Sequence, residues 1–585
     1  MSDFTIVRQS LIEWFPTSES DNVLIVGEPE GFMASLFDGR AALVQSVNDV
    51  SMLSSCADKN DKYDLILMYD LYSFCITSNT LVCDMIRSLK SLLTQDGVLF
   101  LAMENKLGLK YFAGCQEEQN GDYFTGIEDY VGLSDIRPLS KRELTDTLET
   151  ISDISYKFYY PYPDYKYPTM IFSDDCLPTA GELNRNLRNI DRDRYILFDE
   201  CKVYDSLIKA GLFPEFSNSY LIKITSSDCS SASDNLAHTK YLGELIYTKY
   251  STDRCLDFAI RTDRIKDDDG SELIVKHALY KEGRKHLQHM VNMYKALSQR
   301  YGDKMTITGS HIDDGRLYND FAKGVPLTDT FIKLIKNEDS DALKAEIKRF
   351  IDIISYGANE PFTVTDEFIN VFGKHDNIES FNFSSAKVND IDMIFDNIIV
   401  DDDGTWQLID YEWTFDFPIP LQFIVYRALF FFYQRYQVEA TLPWNDILDM
   451  INVNDDCEQL LFAMESKLND YITLGITPLE RAVIDSDNAV IPFKDLRDRF
   501  DYFDIGKQFE KDAMRLNIEN NAYIAANKHI SGQLEAKRQE LNSYKKTADK
   551  TSIEFNKLKD QFVMDQNELN SYRNSFTARL KRKLK

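Results

Sequence analysis

Between residues 22 and 102 the chain alternates short, continuously apolar runs with amphipathic stretches. NVLIV (22–26), YDLILM (63–68) and GVLFLA (97–102) are too short for helices and too apolar for half-exposed strands. They predict strands buried on both faces of a parallel sheet. GEPEG (27–31) follows the first run as a turn into a helix, and residues 81–93 carry apolar positions at helical spacing. Strand, glycine turn and helix in that order open a doubly wound sheet, so residues 1–225 are predicted to form a Rossmann-like α/β domain. The stretch TSSDCSSASDN (225–235) has no apolar periodicity and reads as a linker over 226–235. Beyond it, LIYTKY (245–250), CLDFAIRT (255–262) and LIVK (273–276) predict three antiparallel strands.

The last eighty residues, 506–585, follow a different rule: they lack proline and, after Gly506 at their start, contain only Gly532. Alternate steps of three and four from Ile530 to Arg579 meet fifteen positions, of which eleven are apolar or aromatic. A sustained 3.5-residue period predicts a coiled coil rather than a single helix lying on its own protein. At 1.5 Å per residue, such a helix over 530–580 would reach about 75 Å. It would act as a spacer or make a homo-oligomer. Its tip, RLKRKLK (579–585), concentrates five positive charges, each able to add about 1 kcal/mol near an anionic leaflet. Arg579–Lys585 is therefore a candidate peripheral membrane contact, or equally a solvated terminus that complements the helix dipole.

Charge and cysteine usage narrow the class. The 585 residues carry a formal net charge of −29, which argues against nucleic acid as a partner. Nine cysteines without a C-x-x-C pair fit a reducing compartment, and no apolar run is long enough to span a bilayer. A cytoplasmic protein, at most peripheral at the inner face of the membrane, is expected. All seven histidines lie beyond residue 237, so chemistry in the first third would proceed without imidazole.

The densest chemistry is DMIFDNIIVDDDGTWQLIDYEW (392–413). Residues 398–400 and 406–409 are strand-like, and Asp403-Gly404 reads as a two-residue hairpin turn. In that register Asn397 stands opposite Asp410, a geometry for one hard cation such as Mg²⁺. Asp392, five residues before Asn397, is placed to accept a proton from an acceptor hydroxyl. D-x4-N followed by Asp after a hairpin resembles the catalytic segment of kinases, with Asp392 as base and Asn397 and Asp410 as metal ligands. The resemblance extends over residues 236–505 and implies a bilobal kinase-like α+β domain. It makes Lys276, which closes the third strand, the contact to ATP phosphates, with Glu282 as its acidic partner and residues 318–327 as the hinge beside adenine. The turn STDR (251–254) lacks the glycines of a protein-kinase loop and is closer to small-molecule and sugar kinases. His286 and His289 share a helix face but have no third ligand at metal spacing, so they read as surface or core residues rather than zinc ligands.

The first region resembles class I S-adenosylmethionine methyltransferases through its strand and glycine turn, YDLILMYD (63–70) and LLTQDGVLFLAMEN (92–105). ENKLGLKYFAGC (104–115), YFTGIEDY (123–130), YYPYPDY (159–165) and FSNSYLIKI (216–224) are similar to a subgroup fused to kinase-like domains in bacterial surface-glycan loci. That resemblance makes Gly27, Gly31 and Asn48 the candidate contacts to S-adenosylmethionine. The motif departs in four places: Ile25 stands where an acidic residue belongs, Pro29 replaces the middle glycine, Asn48 replaces a ribose-binding carboxylate with Asp49 adjacent, and Gln119 stands where histidine is expected. These departures predict a retained fold with weak or absent cofactor binding.

Methyltransferase-like domain, kinase-like domain and coiled coil, in that order, resemble the bifunctional methyltransferase/kinase chain terminators of O-antigen synthesis. The resemblance implies an ATP- and Mg²⁺-dependent phosphotransferase acting on a glycan or lipid-linked saccharide acceptor, with a glycosyltransferase as a candidate partner. The alternatives are a working methyltransferase with a kinase-like helper domain, and a non-catalytic scaffold.

Overall fold

The computed structural model describes residues 3–59, 61–130, 136–183, 192–227, 243–267, 269–436, 438, 440–474, 490–492, 537, 539 and 543. Apart from Lys537, Gln539 and Ser543, which are helical, the expected coiled coil and its basic tip lie outside the described residues, as does most of the expected linker.

Four parallel strands begin the fold: β1 (Asn22–Val26), β2 (Leu43–Val47), β3 (Tyr63–Met68) and β4 (Leu93–Glu104), in the order β2-β1-β3-β4. Their alternating side chains feed two separate cores. Leu24, Val26, Ile66, Met68, Leu99 and Leu101 face one side, and Val23, Ile25, Leu65, Leu67, Val98 and Phe100 face the other. Cover on both faces is why these strands read as unbroken apolar runs. The helix Val82–Ser91 supplies part of that cover, burying Val82, Met85, Ile86 and Leu89 at helical spacing. β5 (Ile154–Tyr162), β6 (Met170–Ser173) and β7 (Ser219–Ser226) complete the region, with β7 antiparallel between β4 and β5.

The sheet does not stop at the expected linker. Met170 and Ile171 of β6 pair with Lys249 and Thr248 of β8 (Glu244–Tyr250), which continues through β9 (Ile260–Lys266) and β10 (Glu272–Ala278). After β11 (Thr306–Ile307), the strands β12 (Ser310–Asp313) and β13 (Arg316–Asp320) close the row, giving one twelve-stranded sheet. Buried charges reinforce the junction. Glu13 accepts from Arg261 at 2.5 Å, Arg261 reaches Asp263 at 2.9 Å, and Asp263 accepts from Thr248 at 2.7 Å.

The helix Arg284–Tyr301 packs Leu287 and Met290 against Ile260 and Leu317 of this second half-sheet. Below it lies a mainly helical lobe built on Leu327–Lys336, Ser340–Ile354, Leu421–Arg435 and Asp455–Thr473, with one large core that includes Trp406, Phe395 and Phe432. The connection runs from β13 through residues 321–324. At Gly324, φ is +142° and a Cβ would meet the Val400 carbonyl at 2.3 Å, so only glycine fits. Among the described residues no helix is long and apolar enough to cross a membrane, and the eight described cysteines are free.

Candidate active site

The segment 392–413 folds as a hairpin, in a register one residue removed from the expected one. Ile398 pairs with Leu408, Ile399 with Gln407 and Val400 with Trp406. The connection is therefore the five-residue loop 401–405 rather than a two-residue turn. Asp401 causes the difference, because its Oδ1 accepts from the backbone amides of Asp403 (3.0 Å) and Thr405 (2.8 Å) and holds the wider loop. Asn397 then stands level with Ile409, whose N–H donates to its carbonyl at 2.9 Å. Asp410, one residue further, takes a left-handed φ of +50°. That bend aims its carboxylate at Lys276, to which it is ion-paired.

Asp392 and Asn397 are joined by a tight local turn anchored by buried Met393 and Phe395. Asn397 Nδ2 donates to the Asp392 carbonyl (2.8 Å) and to Asp392 Oδ2 (3.2 Å), which leaves Asn397 Oδ1 as the open acceptor. An amide oxygen and the Asp410 carboxylate form a donor set suited to a hard divalent cation. Asp392 Oδ1 accepts from Arg427 Nη1 at 2.7 Å, and Arg427 Nε donates to Glu465 at 2.9 Å. Burial raises the Asp392 pKa, partly offset by Arg427 and reinforced by the negative charge of Asp410. Behind it, Asp390 is fully buried. One of its oxygens accepts from the Asp392 amide at 3.0 Å and the other has no partner, so burial and the neighbouring carboxylates push its pKa well above the usual range.

Lys276 reaches across from β10. Besides Asp410 it approaches Glu412 at 3.4 Å, and Glu412 also binds Arg254 at 2.5 Å. Burial would lower the lysine pKa, but the two carboxylates more than offset it and the ammonium is held charged. Glu412 is 4% exposed, yet the two cations hold its carboxyl well below the usual range. Glu282 sits just before the helix Arg284–Tyr301 and pairs with Lys281 at 3.8 Å, so the second carboxylate at Lys276 comes from Glu412. His286 is buried beside Trp413, and burial lowers its pKa to about 4; His289 Nε2 lies 2.6 Å from the Thr414 carbonyl.

Three members of this site escaped sequence reasoning: Arg254, Glu412 and Arg427. The available signal for Arg427 is a lone arginine inside the apolar run LQFIVYRALFFF, where a charge must find a buried partner. Glu412 follows Asp410 by two residues, and Arg254 is the one cation of the glycine-free turn STDR (251–254).

In the first region, Gly27 lines a cavity of about 340 Å³ together with Arg8, Glu28, Tyr69, Asp70 and Lys166. It sits at the C-terminal ends of β1 and β3, between strands whose following connections diverge. Gly27 has φ +80°, and a Cβ there would meet the Tyr69 carbonyl at 2.4 Å, so close backbone packing already accounts for the glycine. Gly31 has φ +78° with open space around it and caps the helix Phe32–Leu36. Asn48 is exposed beyond β2 and is not among the cavity residues; Asp49 beside it caps the next helix by accepting from the Met52 amide at 2.9 Å. Glu28 is 1% exposed. Its Oε2 accepts from the Met33 amide at 3.1 Å and its Oε1 has no partner. Gln119, half-buried, has neither amide atom hydrogen-bonded.

An antiparallel half-sheet with one packed helix, a helical lobe beneath it, and Lys276, Asp392, Asn397 and Asp410 at the junction follow the layout of a kinase-like fold. No protein-family model matches the chain, and a search of curated proteins gives no match. Among solved structures, the chain is similar to the ADP-bound aminoglycoside phosphotransferase APH(2'')-Ib, at 12% identity over 40% of this chain and 95% of that one, with a TM-score of 0.22. The macrolide 2'-phosphotransferase MphH from Brachybacterium faecium matches at 11% identity over 42% of this chain and 93% of its own, with a TM-score of 0.21. WbdD, crystallised with the kinase inhibitor LY294002, matches at 10% identity over 83% of this chain and 87% of its own, with a TM-score of 0.21. Identities and scores this low transfer no property, and the functional reading rests on the geometry of the site.

Proposed function

We propose that the chain is an ATP- and Mg²⁺-dependent phosphotransferase that phosphorylates a hydroxyl of a cell-surface glycan or its lipid-linked precursor. The observation that carries this reading is the meeting of Asp392, the open Oδ1 of Asn397, Asp410 and Lys276 at one junction, from segments up to 134 residues apart. Asn397 and Asp410 would hold the cation, which when bound neutralises charge on the transferring phosphoryl group. Lys276 would bind the phosphates. Asp392 accepts the proton of the acceptor hydroxyl on Oδ2, the oxygen that Arg427 does not hold, and Arg427 keeps the carboxylate oriented. Residues 318–327 lie where the two lobes join and would meet adenine. The glycan acceptor follows from the sequence resemblance, as do a glycosyltransferase partner, self-association through residues 506–585 and a membrane contact through Arg579–Lys585.

A thermal shift with ATP that requires Mg²⁺ tests the reading directly. It should be lost in Asp410→Ala. A wild-type protein that shows no shift with ATP and Mg²⁺ at millimolar concentration would sink it.

A second reading concerns residues 1–225 and is favoured by the cavity at Gly27. The strand order with β7 reversed and the unpartnered Glu28 Oε1, which suits a ligand's N–H or O–H donor, support small-molecule binding there, with S-adenosylmethionine as the candidate. Calorimetry with S-adenosylmethionine on the full chain decides it: micromolar affinity would support a working methyltransferase despite Ile25 and Pro29.

A further inference from the structure

The turn between β8 and β9 occupies the place from which kinase-like folds cover the nucleotide phosphates, and much of its backbone is already hydrogen-bonded. Ser251 N–H donates to the Ile260 carbonyl (2.9 Å), Cys255 N–H to that of Ile472 (3.0 Å), and the amides of Phe258 and Ala259 to that of Cys255 (3.0 and 2.9 Å). Ser251 and Thr252 are themselves buried. The turn, which has no glycine, thus commits many of the amides with which a glycine-rich turn would form a phosphate-binding nest. It offers a side chain. Arg254 leaves the turn, lies over the Trp413 ring at 5.2 Å, donates weakly to the Phe258 carbonyl at 3.5 Å and reaches Glu412 at 2.5 Å. Glu412 is also 3.4 Å from Lys276, which is paired with Asp410. Arg254, Glu412, Lys276 and Asp410 form a row of alternating charge along the roof of the site.

We infer that Arg254 is a second phosphate-binding residue, held beside Lys276 by the positioning residue Glu412, and that the two cations together replace the glycine-rich turn. The inference rests on the phosphotransferase reading and deepens it. A half-buried and a buried cation side by side repel each other, and the one carboxylate between them offsets that cost. A guanidinium has five N–H donors in a planar fork, and Glu412, Trp413 and Phe258 use only part of it. The rest can meet phosphate oxygens without Arg254 leaving its place on the indole. The guanidinium also feels the charges of Asp410 and Asp392, as a group close to the reacting centre must.

The test uses the full-length chain and three ligands, ATP with Mg²⁺, ADP with Mg²⁺ and adenosine, measured by calorimetry for wild type, Arg254→Met and Arg254→Lys. Loss of a charge-assisted phosphate contact should weaken ATP and ADP binding about tenfold or more in Arg254→Met while leaving adenosine within about twofold. Arg254→Lys, which keeps the charge but loses the fork, should fall between. A purely structural ion pair predicts something else: equal weakening of all three ligands, or lower thermal stability with unchanged affinity, and either result overturns the inference. If Arg254→Met does not fold, wild-type ATP affinity and kcat in Arg254→Lys overturn it. Wild-type protein that binds neither ATP nor adenosine refutes the phosphotransferase reading itself, whereas wild-type binding with an insensitive Arg254 refutes only this inference.

Discussion

Replacing Arg427 by Met should move the pH dependence of catalysis more than it moves substrate binding. Arg427 donates to Asp392 Oδ1 at 2.7 Å, the two side chains are 12% and 17% exposed, and Arg427 is also the partner of Glu465. In the wild type, burial and Asp410 already raise the Asp392 pKa while Arg427 holds it down. For unit charges about 4 Å apart at an effective dielectric of about 20, the attraction is about 4 kcal/mol. Divided by about 1.36 kcal/mol per pKa unit, that sets a ceiling of about 3 units on the rise when Arg427 is lost. Exposure and relaxation reduce it to about 1–3 units. A base must be ionised to act, so activity falls as pH drops through this pKa. The acid limb of kcat/KM for phosphate transfer should therefore move to higher pH by about 1–3 units, with activity recovering on the alkaline side. Glu465, left buried without its cation, adds to the shift. The assay is initial-rate kinetics from pH 5 to 9, with circular dichroism to check folding. A folded variant with an unmoved acid limb would refute both the assignment of Asp392 as base and the role given to Arg427.

Three further outcomes are expected. Gly27→Ala should destabilise the chain by about 2–4 kcal/mol, combining about 1–2 for a left-handed residue with a clash against the Tyr69 carbonyl, whereas Gly31→Ala should cost only the conformational part; urea unfolding compares them. The Asp390 carboxyl binds its proton more tightly folded than unfolded, so stability contributed by the protonated form is full below the ordinary aspartate pKa and declines as pH rises toward the folded value. Asp390→Asn should therefore raise Tm relative to wild type by an amount that grows between pH 4 and pH 8, and a pH-independent difference would contradict it. Lys276→Met should abolish detectable ATP binding and lower Tm, because the Glu412 carboxylate keeps Arg254 but loses its second cation, which calorimetry and differential scanning fluorimetry can follow.

Much of this architecture is legible in the chain because its causes are local. Burial on both faces writes itself as NVLIV and YDLILM, and the structure places both in the central parallel strands. The spacing of Asp392 and Asn397 survives folding because one short turn joins them. The hairpin register does not, because Asp403-Gly404 is a strong local signal that the Asp401 side chain overrides by capping a wider loop. That single residue of difference changes the face on which each hairpin side chain falls.

Sequence alone therefore determined the central strands, the helix faces and the residue types of the candidate site: two carboxylates, an amide and a lysine at spacings that one fold could bring together. It also carried the heptad pattern of the C-terminal segment. Only the tertiary structure decided which carboxylate serves Lys276, which arginine anchors Asp392, and that the two α/β regions share one sheet through β6 and β8. The physical reason is common to all three. Buried charges choose partners by distance and desolvation, and edge strands choose partners by free backbone groups, and neither leaves a mark at any fixed separation along the chain.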